Sequence, residues 1–324
     1  MALMKELTDK VVGKGVRIVF PESLDSRVLR AATRLKADDI CQPVMLGNRE
    51  AIEAFAEKQS LNISGLTIVD PYDYDKYDEM VEKFVERRNG KATKEQAEEL
   101  LRDETYFGTM LVYMNEADGL VSGAIHSTGD TVRPALQIIK TRPGVSRTSG
   151  VFLLLKGTER YLMGDCAINI NPTAQELGEI AAETAKTAEL FGIDTKVALL
   201  SFSTKGSAKS PDVTKVAEAT KIAQQIAPQY DFDGDLQFDA AYVPAVAELK
   251  APDSKVAGQA KVFVFPEIQS GNIGYKIAQR LGGYEAIGPI LQGLNRPISD
   301  LSRGSTEEDV YKVTIITANQ ALMD

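Results

Sequence analysis

Val16-Arg-Ile-Val-Phe-Pro-Glu-Ser-Leu-Asp-Ser-Arg-Val-Leu-Arg-Ala-Ala-Thr-Arg-Leu-Lys-Ala37, followed by Pro43-Val-Met-Leu46, is the stretch from which the fold is read. Its first residues form an apolar run that Pro21 ends, which predicts a strand. Over 26–37 the apolar residues Val28, Leu29, Ala32 and Leu35 recur at helical spacing. Pro43–Leu46 predicts a second strand, closed by Gly47-Asn48. A strand, a helix and a strand in this order belong to a mainly parallel sheet with helices on both faces.

The same alternation continues along the chain. A helix is expected over 49–58, a strand over 66–69, and helices over 77–88, 94–102 and near 107–114. Gly119-Leu-Val121 reads as a short strand running into the polar loop Ser122-Gly-Ala-Ile-His-Ser-Thr-Gly-Asp. A helix follows over 130–140, with Pro134 near its start. The runs 151–155 and 159–163, around Gly157, predict an antiparallel hairpin. Thr173 and Glu176 stand in capping-box register for a helix over 173–191. A strand over 197–200 feeds a second polar loop, from Ser201 to Ser210, and a helix over 211–227. A helix over 238–249, interrupted or bent at Pro244, precedes a strand over 262–265. A third polar loop is expected at Ser270, then a helix to Leu281 and a strand over 285–291. Ser305, with Glu308 three residues on, is expected to cap a last helix. Parallel sheets bind ligands beyond the carboxyl ends of their strands, where these three loops are expected.

At 324 residues the chain has the length of two domains. A boundary is expected near Gly144–Gly150, which gives 1–146 with 293–324 as one domain and 147–292 as the other. With 44% hydrophobic and 26% charged residues the composition is that of a globular protein. The net charge of −9 argues against nonspecific nucleic-acid binding. An anionic substrate would have to be drawn in by local Arg and Lys residues. Cys41 and Cys166 form no disulfide framework and fit a reducing compartment. No signal peptide is read at Met1-Ala-Leu-Met-Lys-Glu, and apolar runs such as Val262-Phe-Val-Phe265 are too short for a membrane span. A cytoplasmic location is expected.

His126 is the only histidine. No His/Cys zinc spacing exists, so no metal site is expected, and no nucleophile elbow accompanies His126. Proton transfer is then expected from a carboxylate. The segment Asp300-Leu-Ser-Arg-Gly-Ser-Thr-Glu-Glu-Asp309 gathers a hydroxyl, a guanidinium, a glycine and carboxylates at a helix start. Such a set can hold an anion, donate a hydrogen bond to a developing oxyanion and remove a proton. Alone, Ser302 reads equally as a turn residue and Asp309 as a solvated acid of the first helical turn. Ser203–Ser210 reads either as an anion nest at a helix start or as a surface loop. It is no P-loop, for G-x-x-x-x-G-K-[ST] is absent.

Several of these segments together resemble the phosphate acetyltransferase (phosphotransacetylase) family. They are Ser122-Gly-Ala-Ile-His-Ser127 with Asp130-Thr-Val-Arg-Pro134, Ser203-Thr-Lys-Gly-Ser-Ala-Lys-Ser210, Gly271-Asn-Ile-Gly-Tyr-Lys-Ile-Ala-Gln-Arg280, Gly288-Pro-Ile290 and Asp300-Leu-Ser-Arg-Gly304. Their order and spacing match over essentially the whole chain. The resemblance implies two three-layer α/β/α domains with mainly parallel sheets and an interdomain cleft, similar to isocitrate and isopropylmalate dehydrogenases, and commonly a homodimer. It implies reversible acetyl transfer between acetyl phosphate and coenzyme A by direct thiolate attack, with CoA as a substrate and no cofactor. It matches Ser302, Arg303 and Asp309 to the catalytic residues, and Arg133, with Arg88 or its neighbour Arg87, to the arginines that grip CoA. Ser127 and Thr128 either line the site or make turns. Arg280 either contacts substrate or serves its helix dipole.

On that reading Asp309 is the general base for the thiol, since the thiolate is the reactive form. Its ordinary pKa of about 3.9 is low for the task; desolvation would raise it and the helix start would oppose this. Ser302 donates to the oxyanion and Arg303 holds the phosphoryl group. The enzymatic alternatives are a phosphate butyryltransferase, differing in the acyl pocket, and a metal- and NAD-dependent decarboxylating dehydrogenase, which would need clustered acidic ligands. A noncatalytic CoA-binding regulatory domain is the alternative from another class.

Overall fold

The computed structural model describes residues 2–323. In chain order its elements are α1 (Ala2–Val11), β1 (Arg17–Phe20), α2 (Ser26–Ala37), β2 (Gln42–Leu46), α3 (Arg49–Lys58), β3 (Thr67–Val69), α4 (Tyr77–Arg88), α5 (Lys94–Leu100), α6 (Glu104–Tyr113), β4 (Gly119–Ser122), α7 (Thr128–Pro134), a π-helical turn (Ala135–Ile139), β5 (Ser149–Lys156) and β6 (Glu159–Gly164). There follow α8 (Ala174–Leu190), β7 (Lys196–Leu200), α9 (Pro211–Ile226), β8 (Asp231–Leu236), α10 (Phe238–Tyr242), α11 (Pro244–Lys250), β9 (Val262–Val264), α12 (Ile268–Arg280), β10 (Glu285–Gln292), β11 (Ile298–Asp300) and α13 (Glu307–Ala321). The contacts divide them into two units, residues 2–140 with 294–323, and Thr141–Gly293.

The first unit holds a parallel sheet in the order β11-β4-β1-β2-β3. Ile18, Val19 and Phe20 of β1 are all fully buried, as expected of a parallel strand covered on both faces. Between β1 and β2, Asp25 caps α2 by accepting the N–H groups of Arg27 and Val28. Val28, Leu29 and Leu35 of α2 are buried, each stabilising by about 1.5–3 kcal/mol relative to exposure. The last helix, α13, packs on α2 and β4. Its Thr317 hydroxyl pairs with Ser299 of β11 at 2.7 Å, which fixes the strand that leads into the Ser302 segment.

The second unit holds a sheet in the order β10-β5-β6-β9-β7-β8. β10, β5 and β6 are antiparallel neighbours, so the hairpin over 149–164 forms as read from the sequence. The remaining pairs are parallel. Thr173 caps α8 in a capping box with Glu176, also as read. Phe152, Leu154, Tyr161, Met163 and Phe263 lie in its core, with Tyr275 of α12 stacked on Phe152 at 3.8 Å.

Four local expectations are corrected or decided between alternatives. The helix over 130–140 is α7 followed by the π turn, closed by a Lys140 N–H to Ala135 carbonyl bond of 2.9 Å. Pro134, which has no N–H to donate, is the last residue of α7, and the π turn begins at the next residue. The helix over 238–249 is interrupted at Pro244, the first of the two readings, because the extended Val243 precedes it. Ser270 lies in the first turn of α12 rather than in a loop, where the Glu267 carboxylate accepts the N–H groups of Gln269 and Ser270. The fourth, at the cap of α13, belongs to the site.

Candidate active site

At the carboxyl end of β1 stands Glu22, whose side chain is fully buried. Its Oε2 accepts the N–H groups of Gly123 and Ala124, at 3.0 and 2.8 Å. Its Oε1 accepts those of Ile125 and His126, at 2.9 and 3.1 Å. His126 Nδ1 lies 3.1 Å from the same Oε1. The loop after β4 therefore folds around a carboxylate of the protein itself. Those N–H groups are taken by Glu22 and are unavailable to a phosphate.

Arg27, at the start of α2, joins this loop to the segment after β11. Its Nη1 donates to the carbonyls of Arg303 and Ser305, at 2.9 and 2.8 Å. Its Nη2 donates to the Ala124 carbonyl and to Asp25, at 2.8 and 2.7 Å, and its Nε donates to Asp25 at 3.0 Å. Charge-assisted bonds of this kind are about twice as strong as neutral ones. With its donors engaged inward, Arg27 is a clamp between two loops rather than a free cation.

The clamped segment turns tightly. The Ser302 N–H donates to Ser305 Oγ at 3.1 Å, and the Ser305 N–H donates to the Ser302 carbonyl at 2.8 Å. Ser302 Oγ accepts the Gly304 N–H at 3.3 Å, which leaves the hydroxyl proton for another acceptor. Ser302 and Arg303 are both exposed, and Ser305 is buried. The expected Ser305–Glu308 cap is not formed. Thr306 caps α13, with Asp309 at the third position completing the box. Ser305 is occupied in closing the Ser302 turn, which moves the cap one residue on. Glu308 points away to Arg34 at 2.6 Å and Lys312 at 3.5 Å. Asp309, half-buried, accepts the Thr306 N–H and hydroxyl on Oδ2, both at 2.8 Å. Any proton it takes from a substrate would be received on Oδ1.

The other expected residues of this unit separate into two groups. Ser127 caps α7, and its N–H and hydroxyl donate to Asp130, at 3.2 and 2.7 Å. This is the turn-making role of the two readings given from sequence. Arg87 donates to the carbonyls of Ile138 and Ile139, at 2.6 and 2.9 Å, and lies over Tyr113. That inward placement removes its fork from any ligand. Arg88 and Arg133 differ: Arg88 is half-buried and Arg133 exposed, and both charges lower the Tyr106 pKa against the larger effect of burial. Thr128, exposed, donates its hydroxyl to Asp300 at 2.7 Å. Burial pushes the Asp300 carboxyl up to about 6, against the lowering effect of the Thr128 donor.

In the second unit, Ser203–Ser210 makes no open anion nest. The N–H groups of Ser203, Thr204 and Ala208 bond to the Ser201, Ser207 and Ser203 hydroxyls, and that of Gly206 bonds to Asp235. Lys205 pairs with Asp233. Arg280 is exposed in the last turn of α12, where a cation suits the helix dipole. Cys41 and Cys166 are buried, and burial raises both thiols, Cys41 to about 12, so neither is a nucleophile near neutral pH. Among the described residues no cluster of acidic, His or Cys side chains could hold a metal ion.

A model of the phosphate acetyl/butaryl transferase family matches residues 2–318. The chain belongs to that family. A phosphate acetyltransferase of Staphylococcus epidermidis is 62% identical over 325 residues, covering 99% of each chain. One of Bacillus subtilis is 59% identical over 320 residues, again covering 99% of each. The crystal structure of a phosphotransacetylase from Streptococcus pyogenes is 60% identical, covers 100% of this chain and 99% of its own, and superposes with a TM-score of 0.98.

As an acyltransferase of this family, the chain carries a hydroxyl with a free proton, an exposed guanidinium and a carboxylate on one clamped segment. Glu22 and Arg27 were not singled out from sequence. The carbonyl partners of Arg27 lie 97 to 278 residues away, and no local spacing announces them. The acid of the Asp300-Leu-Ser-Arg motif was in view, but its burial was not.

Proposed function

We propose that the chain is a phosphate acetyltransferase that moves an acetyl group reversibly between acetyl phosphate and coenzyme A in a ternary complex. Asp309 takes the thiol proton. The sulfur then bonds to the acetyl carbon, and the Ser302 hydroxyl donates to the carbonyl oxygen as charge develops there. The bond from that carbon to the bridging oxygen breaks, and phosphate leaves with the electron pair, held by Arg303 in a forked pair of hydrogen bonds. The proton on Asp309 passes to the released phosphate. Arg133 and Arg88 hold the phosphates of CoA. No metal or other cofactor enters this scheme.

The observation that carries it is the Ser302–Ser305 turn, fixed by Arg27, which leaves the Ser302 hydroxyl and the Arg303 side chain exposed at the head of α13. Relatives at about 60% identity over the full length favour acetyl over butyryl transfer. We further propose a cytoplasmic homodimer. Support for the dimer comes from the exposed apolar stripe Ile273, Ile277 and Leu281 on and after α12. No helix among the described residues is long and apolar enough to cross a membrane.

The test is formation of acetyl-CoA from acetyl phosphate and CoA without added metal, run beside butyryl phosphate. Rapid turnover that survives EDTA, and a clear preference for acetyl phosphate, are expected. Binding of CoA without turnover would overturn the proposal.

A further inference from the structure

We propose that Asp300 is a positioning residue of the acyl transfer: by holding the Thr128 hydroxyl it keeps the start of α7, and with it Arg133, in place beside the segment that carries Ser302 and Arg303. The inference rests on the roles given above to Ser302, Arg303 and Asp309. Asp300 is the last residue of β11 and pairs across the sheet with Ser122, the last residue of β4. It is fully buried. Its Oδ2 accepts the Thr128 hydroxyl at 2.7 Å, and its Oδ1 is buried with no hydrogen-bond partner among the described residues. Gly123 makes room for it, since a Cβ there would come within 2.5 Å of Oδ1. Thr128 opens α7, whose last turn carries Arg133, and Ser302 follows Asp300 by two residues. One hydrogen bond thus spans the two segments that bear the proposed CoA-binding and catalytic side chains.

The charge on Asp300 needs a reason. No Arg or Lys pairs with it among the described residues, and a buried carboxylate without a cation is costly. An asparagine would accept the same hydroxyl without that cost. An ionised acceptor, however, holds a hydroxyl about twice as strongly as a neutral one. The charged groups on the surrounding elements are Glu22 and Arg27 beyond β1, His126 in the loop after β4, Asp130 and Arg133 on α7, Arg303 beyond β11 and Asp309 on α13. Of these, Glu22 raises the Asp300 pKa further. Near neutral pH the carboxyl is ionised and grips Thr128; below its pKa the grip weakens.

The experiment compares Thr128→Val, Thr128→Ser and Asp300→Asn in the full-length chain. Thr128 is exposed, so its variants remove or keep the donor to Asp300 without repacking the core around it. Thr128→Val should lose about tenfold or more in kcat/KM for CoA, the scale of one hydrogen bond to a charged group, mainly through a raised KM. Thr128→Ser should restore it. The acid limb of kcat/KM near pH 6 should be present in the parent chain and flattened in both Asp300→Asn and Thr128→Val. A Thr128→Val enzyme with parental kcat/KM and an unchanged pH profile overturns the inference, even if Asp300→Asn does not fold. Ser302→Ala and Asp309→Asn serve as controls. Their loss of turnover beside an unaffected Thr128→Val sinks the role of Asp300 alone. Parental turnover in both sinks the underlying catalytic reading.

Discussion

Arg27 carries more of the site than its place on an ordinary amphipathic helix would indicate. Its guanidinium joins Ala124 to Arg303 and Ser305, so it sets where Ser302 and Arg303 stand. Lysine keeps the charge but lacks the planar fork. Arg27→Lys should therefore lower kcat by about 10–100-fold, since a displacement on the order of 1 Å costs that much in a positioned reaction. Steady-state rates with saturating substrates test this, and parental kcat in Arg27→Lys would remove the clamp from the account. Asp300 makes a second prediction, on stability. Its folded pKa, about 6, lies above its ordinary 3.8, so the native state binds the proton more tightly. The stability it contributes is present below about pH 4 and is lost as pH rises through 6. At pH 8 the charged form costs on the order of 3 kcal/mol. Asp300→Asn should close that gap, gaining on the parent as pH rises from 4 to 8 in denaturant melts. Parallel pH curves for the two proteins would contradict it.

The elements show which features could be read in the chain and which could not. β1, β2 and the hairpin of β5 and β6 were legible because their apolar runs are bounded by Pro or Gly. β8 was not, because Asp231-Phe-Asp-Gly-Asp-Leu236 places three carboxylates and a glycine in a strand. β11 has only three residues. Ser305-Thr-Glu-Glu-Asp309 contains two overlapping capping frames, Ser305 with Glu308 and Thr306 with Asp309. Propensity does not choose between them; the burial of Ser305 in the Ser302 turn does. Ser270-Gly-Asn reads locally as a turn, yet Gly271 is needed inside α12 because that helix crosses the Asp165–Cys166 backbone. A Cβ at Gly271 would meet the Asp165 carbonyl oxygen at 2.4 Å. Main chain cannot yield as a side-chain tip does, so Gly271→Ala should destabilise the protein by about 1–3 kcal/mol despite alanine's better helix propensity. Thermal melts of the two proteins check this, and an unchanged or raised Tm would count against the close approach.

In the whole molecule, alternating strands and helices gave the parallel sheets, while the resemblance, not periodicity, pointed to Ser302, Arg303 and Asp309. The long-range ties around them, Glu22 under the β4 loop and Arg27 between the loops, have no sequence signature. A chain of net charge −9 that handles polyanions must concentrate its few available cations. The structure narrows them, turning Arg27 and Arg87 inward while leaving Arg133 and Arg303 exposed. In the proposed mechanism the carboxylate heading α13 removes the thiol proton. The most direct measurement of that step is kcat for acetyl-CoA formation by Asp309→Asn, in a variant whose circular dichroism and melting match the parent. Asparagine can keep the capping acceptor, so the fold should persist while kcat falls by about 10²–10⁴-fold with little change in the KM for CoA. Parental kcat would contradict the claim.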